Sequence, residues 1–190
     1  MEYASDRDLA ATVVSILATL WFVWTARHGG LWIRQVALGG AWLGAAACLV
    51  GVVSTVRSWP DGTVVTGGLI AIYAAVLVIH GALTLLCGAL MSGTYLGAVA
   101  ANDGDPGGIT TGRARFHLAP ALVAVSTAVQ VAIIADTLSV PDLYAGAAAV
   151  LLAPLPAWLV AGVFRDSARA LTGLLTGAAL AGTAVWLLLL

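Results

Sequence analysis

Apolar runs about as long as a bilayer is thick constrain this chain more than any other feature. A membrane-crossing helix needs about 20 predominantly apolar residues, and six such runs occur, over residues 6–26, 35–56, 64–91, 117–138, 140–164 and 168–190. Only 9% of the residues are charged, 61% are hydrophobic and the mean hydropathy is +1.02. A soluble domain carries about a quarter charged residues. The runs are continuous rather than alternating, which favours helices over barrel strands. The sequence therefore predicts an all-α, polytopic integral membrane bundle of six transmembrane helices. It forms one transmembrane domain over residues 1–190, with 93–115 as its longest loop.

Local signals set the expected boundaries. Ser5-Asp6-Arg7-Asp8 and Ser139-Val140-Pro141-Asp142 have capping-box spacing, a hydroxyl followed three residues on by an acid. Ser58-Trp59-Pro60-Asp61-Gly62 has turn chemistry, and Pro120 fits the first turn of a helix opening near 117. Asn102-Asp103-Gly104-Asp105-Pro106-Gly107-Gly108 marks the long loop. The acidic start, with Arg7 and no small-residue cleavage site, argues against a removable signal peptide.

Arginine sets the orientation. Arg27, Arg34, Arg113, Arg115, Arg165 and Arg169 follow the first, third and fifth spans, against Arg7 and Arg57 on the other side. The positive-inside rule then makes 93–115 a cytoplasmic loop and puts both termini outside. A multi-pass cell-membrane protein is expected, with the lipid bilayer as its first partner.

Inside the fifth span, Pro154 and Pro156 each lack a backbone donor. The carbonyls of Val150 and Leu152 lose their usual partners, and lipid supplies no replacement. This break is expected to be the feature around which the bundle packs. Gly40-x-x-x-Gly44 and Gly173-x-x-x-Gly177 have the spacing that lets helix backbones approach, so these glycines are expected at helix contacts. The two Gly-rich helices are not equivalent in a three-plus-three plan, and an inverted repeat is not supported.

Few residues can carry chemistry. His80 falls near the middle of the third span, with Tyr73, Thr84 and Cys87 on the same helical face. The fourth span carries Ser126, Thr127, Gln130 and Thr137. Counted from the cytoplasmic end, His80, Gln130 and the Pro154/Pro156 break share one depth. Two readings stand side by side: hydroxyls satisfied by their own i−4 carbonyls with a structural histidine, or a ligand or proton pathway. Asp136, less than a turn from a helix end, suits capping or interface duty.

Other chemistry is excluded. The chain has no lysine, so neither a Schiff base nor a lysine nucleophile is available. His28 and His117 lie at the cytoplasmic edge without a partner for His80 at matched depth, so haem is not expected. There is no His/Cys/acid cluster at metal-ligand spacing, and Asp103/Asp105 lack a calcium loop's ligand positions. No P-loop, GxSxG or HExxH occurs. Cys48 and Cys87 are expected at depths roughly 10 Å apart, too far for a disulfide. A net charge of −1 leaves no nucleic-acid footprint. No metal and no cofactor are expected.

Three functions fit. The first is a small transport or channel-like protein with a midplane polar site for a neutral or weakly polar solute. The second is a non-catalytic subunit or assembly partner of a larger membrane complex, or a homo-oligomer, built on small-residue faces. The third is an intramembrane enzyme acting on lipid or redox carrier, which rests on His80, Tyr73 and Cys87 alone.

Overall fold

The computed structural model describes residues 2–58, 75, 78, 79, 82, 106–161 and 168–190. They form helices α1 (Glu2–His28), α2 (Leu31–Ser58), α3 (Pro106–Thr137), α4 (Asp142–Leu152), α5 (Pro154–Ala161) and α6 (Ala168–Leu189), and no strand occurs among them. Residues 75, 78, 79 and 82 are also helical, with exposed side chains. Among the described residues, four helices are long and apolar enough to cross a membrane: Asp6–Arg27, Leu31–Arg57, Pro120–Thr137 and Ala170–Leu189. Together they make this a multi-pass, all-helical membrane architecture.

Among the described residues, the centre of the bundle is α1 rather than the proline break. Ala10, Ala11, Val14, Leu17, Ala18, Trp21, Phe22 and Ala26 are all buried, because α2 and α6 both run along this helix. Proline frees carbonyls, but removing area from neighbours takes side chains that interlock, and α1 supplies those. At the break, Pro154 is buried while Pro156 is exposed.

The helix α1 starts at Glu2, so Ser5 lies inside its first turn rather than capping it. Its turn into α2 is short. Gly29 N–H donates to the Thr25 carbonyl at 2.8 Å, and Arg34 N–H to that of Gly30 at 2.9 Å. A Cβ on Gly29 would sit 2.7 Å from Ile33 Cγ2, so this approach needs a glycine. With so tight a turn, α2 begins before residue 35.

Helix α3 opens at Pro106, ahead of the expected start at 117, and takes in residues 106–115 of the expected loop. A proline at the first helical position is favourable because its missing N–H would be unbonded there. Pro120 consequently lies well inside α3 rather than in its first turn. The corner into α4 is hydrogen-bonded, with Ser139 N–H on the Asp136 carbonyl at 3.2 Å and Val140 N–H on that of Ala135 at 3.0 Å. Ser139 takes a φ of 54° to make it. Pro141, not Ser139, precedes the helix, and no side chain caps it, so the second capping box does not form either. The left-handed turn at Ser139 replaces the extended backbone that an N-cap needs.

Candidate functional site

The small residues come first, because they set how closely the helices lie. On α2, Ala37, Gly44 and Gly51 recur every seven residues and are buried. A Cβ on Gly44 would stand 2.5 Å from Thr19 Oγ1, and one on Gly51 would meet Thr12 Oγ1. Gly40 lies against the Phe22 ring, 2.6 Å from where its Cβ would be. From the other side, Gly177 of α6 meets the same ring at 3.0 Å, and Gly173 faces Thr25 and Trp24. Phe22 is thus held between glycines of two helices. All four glycines of the two GxxxG spacings face α1.

The hydroxyls facing these glycines turn back on their own helix. Thr12, Thr19 and Thr25 donate to the carbonyls of Asp8, Ser15 and Trp21 at 2.7–2.8 Å. That satisfies each hydroxyl locally and leaves a compact side chain on which glycine can rest.

The interior carries a polar level between α1 and α3. The Trp21 indole N–H donates to Thr127 Oγ1 at 3.3 Å, and the Thr127 hydroxyl donates to the Val123 carbonyl at 2.8 Å. Trp24 stacks edge-on against Trp21, centroids 5.6 Å apart. One turn beyond Thr127, Gln130 is 4% exposed. Its amide nitrogen donates to Ser126 Oγ at 3.3 Å. Its Oε1 is fully buried and has no partner among the described residues, as is true of Ser15 Oγ and Thr176 Oγ1. Each is a buried polar atom, and leaving its hydrogen bond unmade is costly. Thr137, at the exposed end of the expected stripe, bonds the Ile133 carbonyl at 2.7 Å, and Asp136 beside it is exposed.

His80, Tyr73, Thr84 and Cys87, and the side chains of His28 and His117, lie outside the described residues. Val150, whose carbonyl Pro154 cannot reach, is buried, and Leu152 is exposed. Among the described residues no three His, Cys, Asp or Glu side chains gather as metal ligands would.

The long-range pairings of charged groups, which sequence reasoning missed, are at one end of the bundle. Arg7 of α1 pairs with Asp142 of α4 at 3.1 Å, and Ser54 of α2 donates to Asp8 Oδ2 at 2.6 Å. Their separations, 135 and 46 residues, exceed any motif length. The legible signal was a charge at the margin of each apolar run. A search against protein families, characterised proteins and solved structures finds no match to this chain.

Proposed function

We propose that the protein is a small transport or channel-like protein of the cell membrane, with six spans and both termini outside. It passes or binds a neutral or weakly polar solute at the polar level of Gln130. One observation supports this reading above the others: Gln130 Oε1 is fully buried with no donor among the described residues. In hydrocarbon such an acceptor costs several kcal/mol unless something donates to it. A solute bearing N–H or O–H groups meets that need. His80, Tyr73 and Thr84, which lie outside the described residues, are candidates for the same ligand or proton pathway, together with Pro154 and Pro156.

Urea and glycerol are suitable probes. Vesicles holding the purified protein should equilibrate with one of them faster than protein-free vesicles in stopped-flow light scattering. Gln130→Leu should return the rate toward the protein-free value. Equal rates with and without the protein, for both solutes, would remove the reading. Orientation is tested separately: a cysteine at Asp105 should be shielded from an impermeant maleimide added to intact cells, and one at Asp61 should react.

The outer face of α2 favours a second reading, that of a subunit in a larger membrane complex. Leu31, Trp32, Trp42, Leu43, Leu49 and Val56 are each more than 60% exposed. Co-purification of a defined partner under mild detergent, with loss of stability when it is stripped away, would favour this reading over transport.

A further inference from the structure

The two ends of the bundle carry opposite charge. Every acid among the described residues stands at one of them. Glu2, Asp6 and Asp8 lie in the first two turns of α1, and Asp136 and Asp142 flank the corner that the Arg7–Asp142 pair ties to the same place. The other end holds Arg27, Arg34, Arg113, Arg115 and Arg169. Contacts fix this placement. Gly173 of α6 faces Thr25, so Arg169 stands beside the end of α1. Thr127 meets Trp21 while Asp142 meets Arg7, so α3 runs antiparallel to α1 and its arginines lie at the far end.

Two of these arginines share a depth and a side. Gly44 lies against Thr19 and Gly51 against Thr12, so α1 and α2 are antiparallel. This register puts Arg27 and Arg34 within about two residues of one level, roughly 3 Å. At about 100° per residue, Arg27 lies about 70° round α1 from Thr12 and Thr19, and Arg34 about 80° round α2 from Ala37, Gly44 and Gly51. Near-equal rotations on antiparallel helices bring both to the same side of the pair. Phe22 and Thr25, which meet α6, turn the other way, and both arginines are exposed. Toward the bilayer centre the same side continues as Leu20, Val23 and Leu38, which are 48%, 37% and 43% exposed.

We propose that this side of α1 and α2 binds an anionic phospholipid, its phosphate between Arg27 and Arg34 and its chains along Leu20, Val23 and Leu38. A guanidinium suits phosphate because its planar fork donates two parallel hydrogen bonds. The glycine seam brings the two backbones close, so one headgroup can reach both arginines. A net negative headgroup is preferred, because a zwitterionic one would place its own cation among five arginines with no described acid near them. Free phosphate would meet the arginines and leave the apolar strip unused, which is why a lipid is the ligand. This binding does not depend on the solute reading.

The test is native mass spectrometry of the full-length protein, titrated in mild detergent with phosphatidylglycerol or phosphatidylcholine. The wild type should bind one phosphatidylglycerol more tightly than phosphatidylcholine. Arg27→Gln and Arg34→Gln should each weaken phosphatidylglycerol binding by about fivefold, the worth of one arginine at an anionic surface. Phosphatidylcholine binding should stay as it is in both variants, which also shows that they are folded. Arg57→Gln, an exposed arginine at the acidic end, should change neither affinity. Inorganic phosphate at matched ionic strength should not displace the lipid. Equal affinity for the two lipids in the wild type, a loss from Arg57→Gln as large as that from Arg27→Gln, or displacement by inorganic phosphate would each overturn the inference.

Discussion

Helices α1 and α2 are consecutive, similar in length and similarly apolar, yet 67% of the apolar window of α1 is buried against 22% of that of α2. Apolarity cannot separate them, since lipid accepts a leucine as readily as a protein interior does. The difference lies in which side chains can interlock. Around α1 are Trp21, Phe22 and hydroxyls satisfied on their own backbone. On α2, small residues hold one seam, and Trp32, Trp42 and Leu43 point away from it. In a membrane, shape rather than hydrophobicity decides which helix becomes the centre.

The hardest blow to this arrangement is at Phe22, the ring that both neighbours touch. Phe22→Ala should lower the unfolding free energy in detergent by about 3–5 kcal/mol, the usual cost of deleting a buried aromatic. A loss below about 1 kcal/mol would mean that α2 and α6 close on each other without it. Next come the glycines against that ring. Gly40→Leu and Gly177→Leu should each cost about 1–3 kcal/mol by overpacking, whereas Gly39→Leu should cost little because open space lies beside it. Equal losses at Gly39 and Gly40 would contradict the seam. Combining Gly40→Leu with Phe22→Ala should cost less than the sum of the two changes, because the added side chain enters the space the ring leaves.

The seam was legible because glycine spacing is a local pattern that reports backbone approach directly. Among the described residues, the four long apolar helices were legible for the same reason, since each run carries its own length and polarity. The identity of the central helix was not legible. The buried face of α1 mixes Ala, Ser, Thr, Trp and Phe and gives no single periodic signal. Loop lengths were misjudged where Gly29–Gly30 and Pro106 allow helices to run further than polar composition suggests. In the candidate site, the depth of Gln130 could be read from its place in a span, but its burial could not, since Val129 and Ile133 at nearly the same depth are exposed. Its pairing with Ser126, and that of Trp21 with Thr127, required the side-chain geometry.

A smaller effect sharpens the same contrast from the side of α3. Thr127→Val removes the acceptor of the Trp21 indole while keeping the shape of the side chain. Interhelical polar pairs within membranes average about 0.6 kcal/mol, and a loss of that order is expected, with Thr127→Ser retaining most of the stability. Tryptophan fluorescence provides an independent readout, because the indole loses its buried hydrogen bond. An unchanged emission maximum in Thr127→Val would mean that the bond does not form in solution.

The smallest expected effect is on the outer face of α2, and it decides between lipid and protein as the neighbour there. Trp42 is 77% exposed and Leu43 71%. If only lipid or detergent meets them, Trp42→Leu and Leu43→Ala should each change stability by less than about 0.5 kcal/mol, as substitutions away from packed contacts do. The measurement should be repeated across a tenfold range of protein-to-detergent ratio. A self-associating face would make both the wild-type stability and the cost of Trp42→Leu depend on that ratio, because binding between copies adds to apparent stability by mass action. A loss above about 1 kcal/mol that is independent of the ratio would instead place protein of the same chain over α2. A null result at every ratio leaves lipid as its neighbour, and α2 then differs from α1 in having one protein face where α1 has several.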